Sequence, residues 1–316
     1  MNFSVGVAAA AVWLLASSCG LWIYWITDWF REKRLPLPKW QPKSQALPSI
    51  PLALALMYLG LSLVMQFSRS DAPKEPQQPN LDNTILVDAI VFIVFFVASV
   101  VEPAESSDLA DRGFRRENLP EQLNSGSLGF IASLAPTALF LLLTIPWRSE
   151  ETVHPLLQFI KEHGSFGVVA RATVIACVLA PLTEELIFRV TLQGWLSRFV
   201  PPQVAIPVVA ILFATVHGFP DAVALFPLAL LLGYIYHRTR SYVAVVTVHA
   251  LFNGLNVLMM LAGLQLEDSL PPPQQQDPPP QVSEDHDLQI PAPVPLPQRL
   301  PKSPPTAADE HGSTHP

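Results

Sequence analysis

The chain has 316 residues, of which 50% are hydrophobic and 14% charged, and its formal net charge is −7. Length alone admits one large domain or two small ones, but the apolar residues fall in runs of about 20 with few charges, enough to cross a bilayer. A mean hydropathy of +0.34 persists despite 33 prolines, which excludes an ordinary soluble enzyme, a disordered chain and a disulfide scaffold.

Eight candidate spans follow in chain order, at about 3–26, 48–67, 81–101, 128–146, 167–188, 204–217, 222–236 and 242–264. The expected fold is therefore all-α, a polytopic membrane protein with about eight transmembrane helices. Spans six and seven are short for a hydrocarbon core of about 30 Å. Together they can also be read as one irregular hairpin around Gly218-Phe219-Pro220-Asp221. The first span lacks a basic stretch before it and is too long for a signal peptide, so it reads as a retained anchor. Cys19 and Cys177 both lie in apolar runs and read as small core residues.

Lysine and arginine set the expected orientation. Arg31, Lys33, Arg34, Lys39 and Lys43 follow span one, and Arg112, Arg115 and Arg116 follow span three. Arg189 and Arg198 follow span five, and Arg238 and Arg240 follow span seven. The opposite side has Arg69, Lys74, Arg148 and Lys161. The richer side is assigned to the cytoplasm of a plasma membrane, with both termini outside. Residues 106–124 read as a charged cytoplasmic loop.

Three regions result: N-terminal helices with basic loops (1–126), a membrane core (127–266) and a tail (267–316). The tail has 14 prolines in 50 residues, with eight acidic and two basic residues. That composition predicts a disordered, partly polyproline segment, whose binding partner, if it has one, is unknown. Without the tail, 17 basic residues face 18 acidic ones. No basic stripe suggests nucleic acid.

Ionisable groups inside spans are costly and are functional candidates by default. Only His217 and His249, of eight histidines, lie in or beside an apolar run. Glu184 and Glu185 are adjacent in span five. Glu185 and Arg189 are i,i+4 and can pair on one helix face, leaving Glu184 on another. His249 and Asn253 share a face by the same spacing, as do Phe213 and His217, although Phe213 reads as packing. Glu184 and His217 lie about equally far from the turn near Val200-Pro201, which predicts similar depth in two antiparallel helices. His249 matches that depth less well. One carboxylate and two imidazoles around a polar pocket can bind a divalent metal or orient a water directly, with Glu184 as general base. Asn253 can steady an oxyanion.

The three elements Glu184-Glu185-Leu186-Ile187-Phe188-Arg189, Phe213–His217 and His249–Asn253 resemble the motifs of the type II CAAX prenyl protease and bacteriocin-processing (CPBP or Abi) family. The likeness covers about 166–264, and the Asp111-Arg112-Gly113-Phe114 loop looks weakly like a feature preceding that core. It implies an all-helical intramembrane endopeptidase acting on a hydrophobic or lipidated peptide, with membrane lipid as its surroundings. By that carry-over Glu184 activates water, and Glu185 assists it or pairs with Arg189. His217 and His249 bind metal or position the water, and Asn253 stabilises the oxyanion. The family is usually called a metalloprotease, so the implied cofactor is a divalent metal, zinc by preference, held by Glu184, His217, His249 and Asn253. Two histidines are a thin ligand set, and a metal-free glutamate mechanism stays open. No His-Glu-x-x-His pair occurs, and the serine of Gly126-Ser127-Leu128-Gly129 is misplaced for a rhomboid protease. A non-catalytic scaffold of the same fold and a transporter with a Glu/His proton relay are the rival readings.

Overall fold

In hydrocarbon a backbone can satisfy its polar groups only from within, so each long apolar run closes into a helix. The structure, a computed structural model, describes residues 3–37, 39, 49–68, 80–101, 109–148, 159–160 and 163–269, with side chains described as far as residue 263. The helices are α1 (Phe3–Glu32), α2 (Ser49–Phe67), α3 (Leu81–Val101), α4 (Leu119–Thr144), α5 (Phe166–Leu196), α6 (Pro202–His217), α7 (Asp221–Thr239) and α8 (Tyr242–Ser269). No strand occurs among the described residues. Among the described residues, seven of these eight helices are long and apolar enough to cross a membrane. The exception is α6, whose 16 residues reach only about 24 Å at 1.5 Å each. The chain is thus an all-α, multi-pass integral membrane protein. Everything described lies in one unit, Met1–Leu270. The proline-rich tail lies outside the described residues.

At the centre stands α4, packed against α1, α7 and α8, while α6 lies on α7. Its glycines permit this. A Cβ on Gly126 would stand 2.6 Å from Thr247 Cβ and 2.7 Å from the Ala244 carbonyl oxygen, so α4 and α8 meet almost backbone to backbone. Pro136 sits inside α4 and has no N–H to give the carbonyl four residues back. That carbonyl, Ala132, accepts the indole N–H of Trp22 on α1 at 2.8 Å instead. An unsatisfied carbonyl in hydrocarbon costs several kcal/mol, so this contact helps fix how α1 lies on α4, together with the buried Ser18, whose Oγ accepts the Ala135 N–H at 3.0 Å. Beyond it α1 buries little, and Cys19 is exposed on it, contrary to the core role its apolar run suggests. Cys177 is half-buried.

Three boundaries depart from the sequence reading. Span four begins at Leu119, inside the stretch 106–124 expected to be a loop, and the region boundary at 126/127 falls within this helix. Its first turn is polar, yet Gln122 is buried: its amide donates to the Arg115 and Glu117 carbonyls, and its Oε1 accepts from Ser241 Oγ at 2.6 Å. Span one continues through Trp29 and Phe30 to Glu32. Span five runs past Arg189 to Leu196, with π-turns at Ile175–Leu179 and Leu186–Gln193.

The Asp111-Arg112-Gly113-Phe114 stretch is a buried clasp. The Gly113 carbonyl accepts the Tyr242 N–H at 2.9 Å, and Tyr236 Oη donates to the Arg112 carbonyl at 3.0 Å. Arg112 donates to the Ser99 carbonyl at 2.8 Å. This short loop therefore ties the end of α3 to α7 and α8.

Candidate active site

The site forms where α5, α6 and α8 meet. The second π-turn of α5 begins one residue after Glu185, and this region carries two adjacent glutamates with different surroundings. Glu185 is fully buried. Its Oε1 accepts the His249 Nδ1–H at 2.8 Å, and its Oε2 lies 3.2 Å from Arg189 Nε. Pairing at i,i+4 follows the spacing in the sequence. Arg189 is also fully buried, and its guanidinium carbon stands 4.7 Å from the Phe213 ring centre. A charge held this deep needs both the carboxylate and the ring face to offset its lost hydration.

Glu184 points elsewhere. Its Oε2 is shut off from the surface and makes no hydrogen bond among the described residues. It stands 3.8 Å from His217 Nε2 and 3.9 Å from His249 Nε2. Each ring's other nitrogen is occupied: His217 Nδ1 donates to the Phe213 carbonyl at 2.7 Å, and His249 Nδ1 to Glu185. Such outer bonds fix the ring orientation and leave Nε2 as an acceptor. Three acceptor atoms therefore converge. Glu184 Oε2 lies farther from each Nε2 than a direct hydrogen bond, a spacing that suits a water donating one hydrogen to the carboxylate and the other to an imidazole.

His217 ends α6, and Gly218 follows with φ 76° and ψ 162°, a region open to glycine and almost no other residue. The chain can therefore turn directly after the imidazole. His249 reaches the same depth although it lies only two turns into α8, because α5 continues to Leu196 and places Glu184 three turns from its end. Phe213 is the floor of the site, with ring centres 5.1 Å from Phe188, 4.7 Å from His217 and 5.8 Å from His249.

Asn253 takes a contact the sequence did not suggest. In the first π-turn the Ala180 N–H bonds the Ile175 carbonyl, five residues back. The next residue in that register, Pro181, has no N–H, which leaves the Ala176 carbonyl free. Asn253 Nδ2 donates to it at 2.7 Å. The observed partner of Asn253 is thus the α5 backbone, and only its second N–H is left for an oxyanion.

Two residues near the site were not among the sequence candidates. Asp88 on α3 and Tyr58 on α2 lie close enough to Glu184 to interact with it electrostatically. Asp88 was legible as the single acid deep within α3, the most hydropathic span. Tyr58 gave no such signal.

The fold and this cluster define a class: a polytopic helical membrane protein with a carboxylate and two imidazoles gathered in its core. Residues 166–255 match the family model described as type II CAAX prenyl endopeptidase Rce1-like. The match takes in all six candidate residues, Glu184, Glu185, Arg189, His217, His249 and Asn253, and supports a CAAX-type intramembrane protease fold for this segment. Comparisons with curated proteins and with solved structures gave no match.

Proposed function

We propose that the protein is an intramembrane endopeptidase that hydrolyses a peptide bond in a hydrophobic or lipidated, membrane-associated peptide. The observation that carries this reading is the unbonded Glu184 Oε2 facing two Nε2 atoms whose rings are fixed from behind. Glu184 takes a proton from the water held among these atoms, and the water oxygen bonds to the scissile carbonyl carbon. As the C–N bond breaks, the same carboxyl returns the proton to the leaving amine. The second N–H of Asn253 donates to the oxyanion. Glu185 and Arg189 do not meet the substrate in this scheme. They hold His249 in position.

The donors fit a catalytic zinc in kind, since two imidazole nitrogens and a carboxylate with one open position are a known catalytic set. Ligands of one tetrahedral ion lie about 3.3 Å apart, so Glu184 Oε2 would have to approach each imidazole by about half an ångström. At the observed spacing, no group of three or more His, Cys, Asp or Glu is set for a metal among the described residues. A divalent metal would be held by Glu184, His217 and His249, and when bound it would lower the pKa of the water. We place the basic loops on the cytoplasmic face of a plasma membrane; both termini then lie outside provided that the short α6 crosses together with the seven long helices.

The experiment is cleavage of a library of membrane peptides by the protein in liposomes, with wild type, Glu184→Ala and added chelator compared. Cleavage lost in Glu184→Ala supports the peptidase. Loss with chelator assigns the metal, and resistance to chelator assigns the metal-free route. No cleavage by wild type, with a cellular phenotype that survives Glu184→Ala, would replace the peptidase with a scaffold.

A further inference from the structure

Apart from this chemistry, α1, α4 and α7 border an open cavity of about 600 Å³. Its wall is almost wholly apolar and includes Trp22, Trp25, Trp29, Phe140, Leu230 and Tyr234. None of its lining residues belongs to the candidate active site. Two helix-interior prolines, Pro136 and Pro227, both line it. A proline ring pushes away the carbonyl four residues back and bends its helix, so the cavity lies where α4 and α7 both carry a bend-forming residue.

One end of the cavity is closed by residues 33–37, which return from α1 across α7. Tyr234 Oη donates to the Pro36 carbonyl at 2.7 Å, and Arg238 donates to the Leu37 carbonyl through both Nε and Nη2. Leu35 and Pro36 of this strap face the cavity. Basic side chains gather at the same end: Arg31, Lys33 and Arg34. Lys33 Nζ lies 4.4 Å over the Trp29 ring, which also borders the cavity. The acids nearby are Asp28 and Glu32. Glu32 pairs with Arg34 at 3.0 Å, both well exposed, so that pair is weak.

We infer that this cavity is a binding site for one anionic phospholipid, with an acyl chain among the tryptophans and the phosphate at Lys33 and Arg34. The volume falls in the range of built small-molecule sites, about 300–1,000 Å³. A purely apolar groove would accept any hydrocarbon chain, but here the cation cluster stands at the mouth. Basic pockets between membrane helices select acidic headgroups, and Trp29 lies in the last turn of α1 beside Lys33, where an indole favours the membrane interface. Charge complementarity thus selects an acidic phospholipid over a neutral one, and the apolar lining selects a lipid over free phosphate.

Native mass spectrometry of the full chain in detergent tests this, with phosphatidylglycerol and phosphatidylcholine of identical chains as probes. Wild type should retain one phosphatidylglycerol per chain at concentrations where phosphatidylcholine is lost. A Lys33→Ala/Arg34→Ala variant should lose that preference by about tenfold or more, since each basic residue contributes appreciably to acidic-lipid attraction. Leu230→Trp, which fills the cavity, should displace both lipids. Excess inorganic phosphate should displace neither. Equal retention of the two lipids by wild type would overturn the inference, as would displacement by phosphate. Unchanged preference in the double variant would do the same, and that variant lies on the surface, where folding is not at stake.

Discussion

The neighbouring helices α5 and α3 meet the membrane in opposite ways. Along its second half α5 is buried on every side, with Glu185, Arg189, Thr191 and Gln193 all inside and most of them held by a named partner. Apart from Leu81, Phe95 and Ser99, α3 is open to its surroundings along its length, and its polar tie to α5 is an exposed pair, Asp82 with Arg171 at 3.0 Å. The difference shows where polar groups in this fold are fixed by structure and where they are merely tolerated. A buried charge without its partner is ruinous, while an exposed one loses little.

That contrast is sharpest at Arg189. Arg189→Ala should destabilise the protein by about 3–5 kcal/mol, because Glu185 would remain buried beside no cation. Thermal unfolding in detergent would show this as a large fall in Tm. A small fall would mean that Glu185 takes up a proton and the buried pair matters little. Next in size is Asn253→Ala, which frees the Ala176 carbonyl inside the membrane and should cost about 1–2 kcal/mol. Its cleavage rate should fall further than this stability loss explains if the second N–H also meets the oxyanion. The smallest effect is expected at Asp82→Asn, about 0–1 kcal/mol for an exposed pair. A loss as large as that of Arg189→Ala would show that α3 is tied to the core far more firmly than its contacts suggest.

Much of the fold was legible because membrane spans are written as composition. The bounds of α2 and α3 lie within a residue of those read from hydropathy. What composition hid was every polar stretch that the fold buries. The first turn of α4 and the last turns of α5 carry Gln122, Arg189, Thr191 and Gln193, and each looked like the end of a span. Two of them take a partner from far away in the sequence, Gln122 from Ser241 and Gln193 from Gly233. The pairing of Glu185 with Arg189 was legible from local spacing. The link from His249 to Glu185 was not, because 64 residues separate them. The π-turns were invisible to a 3.6-residue period, and with them the reason Asn253 turns to the Ala176 carbonyl.

In the mechanism we propose, two adjacent carboxylates do different jobs: Glu184 reacts and Glu185 positions. The direct measurement is cleavage rate and Tm, side by side, for Glu184→Gln and Glu185→Gln in liposomes. Glu184→Gln should lower the rate by about 10²–10⁴-fold, the range for a lost general base, and leave Tm unchanged. Glu185→Gln should lower Tm as well as rate, since it breaks the buried link between Arg189 and His249. If Glu184→Gln cleaves normally while Glu185→Gln is stable and inactive, the two roles are reversed and the mechanism proposed for this site is wrong.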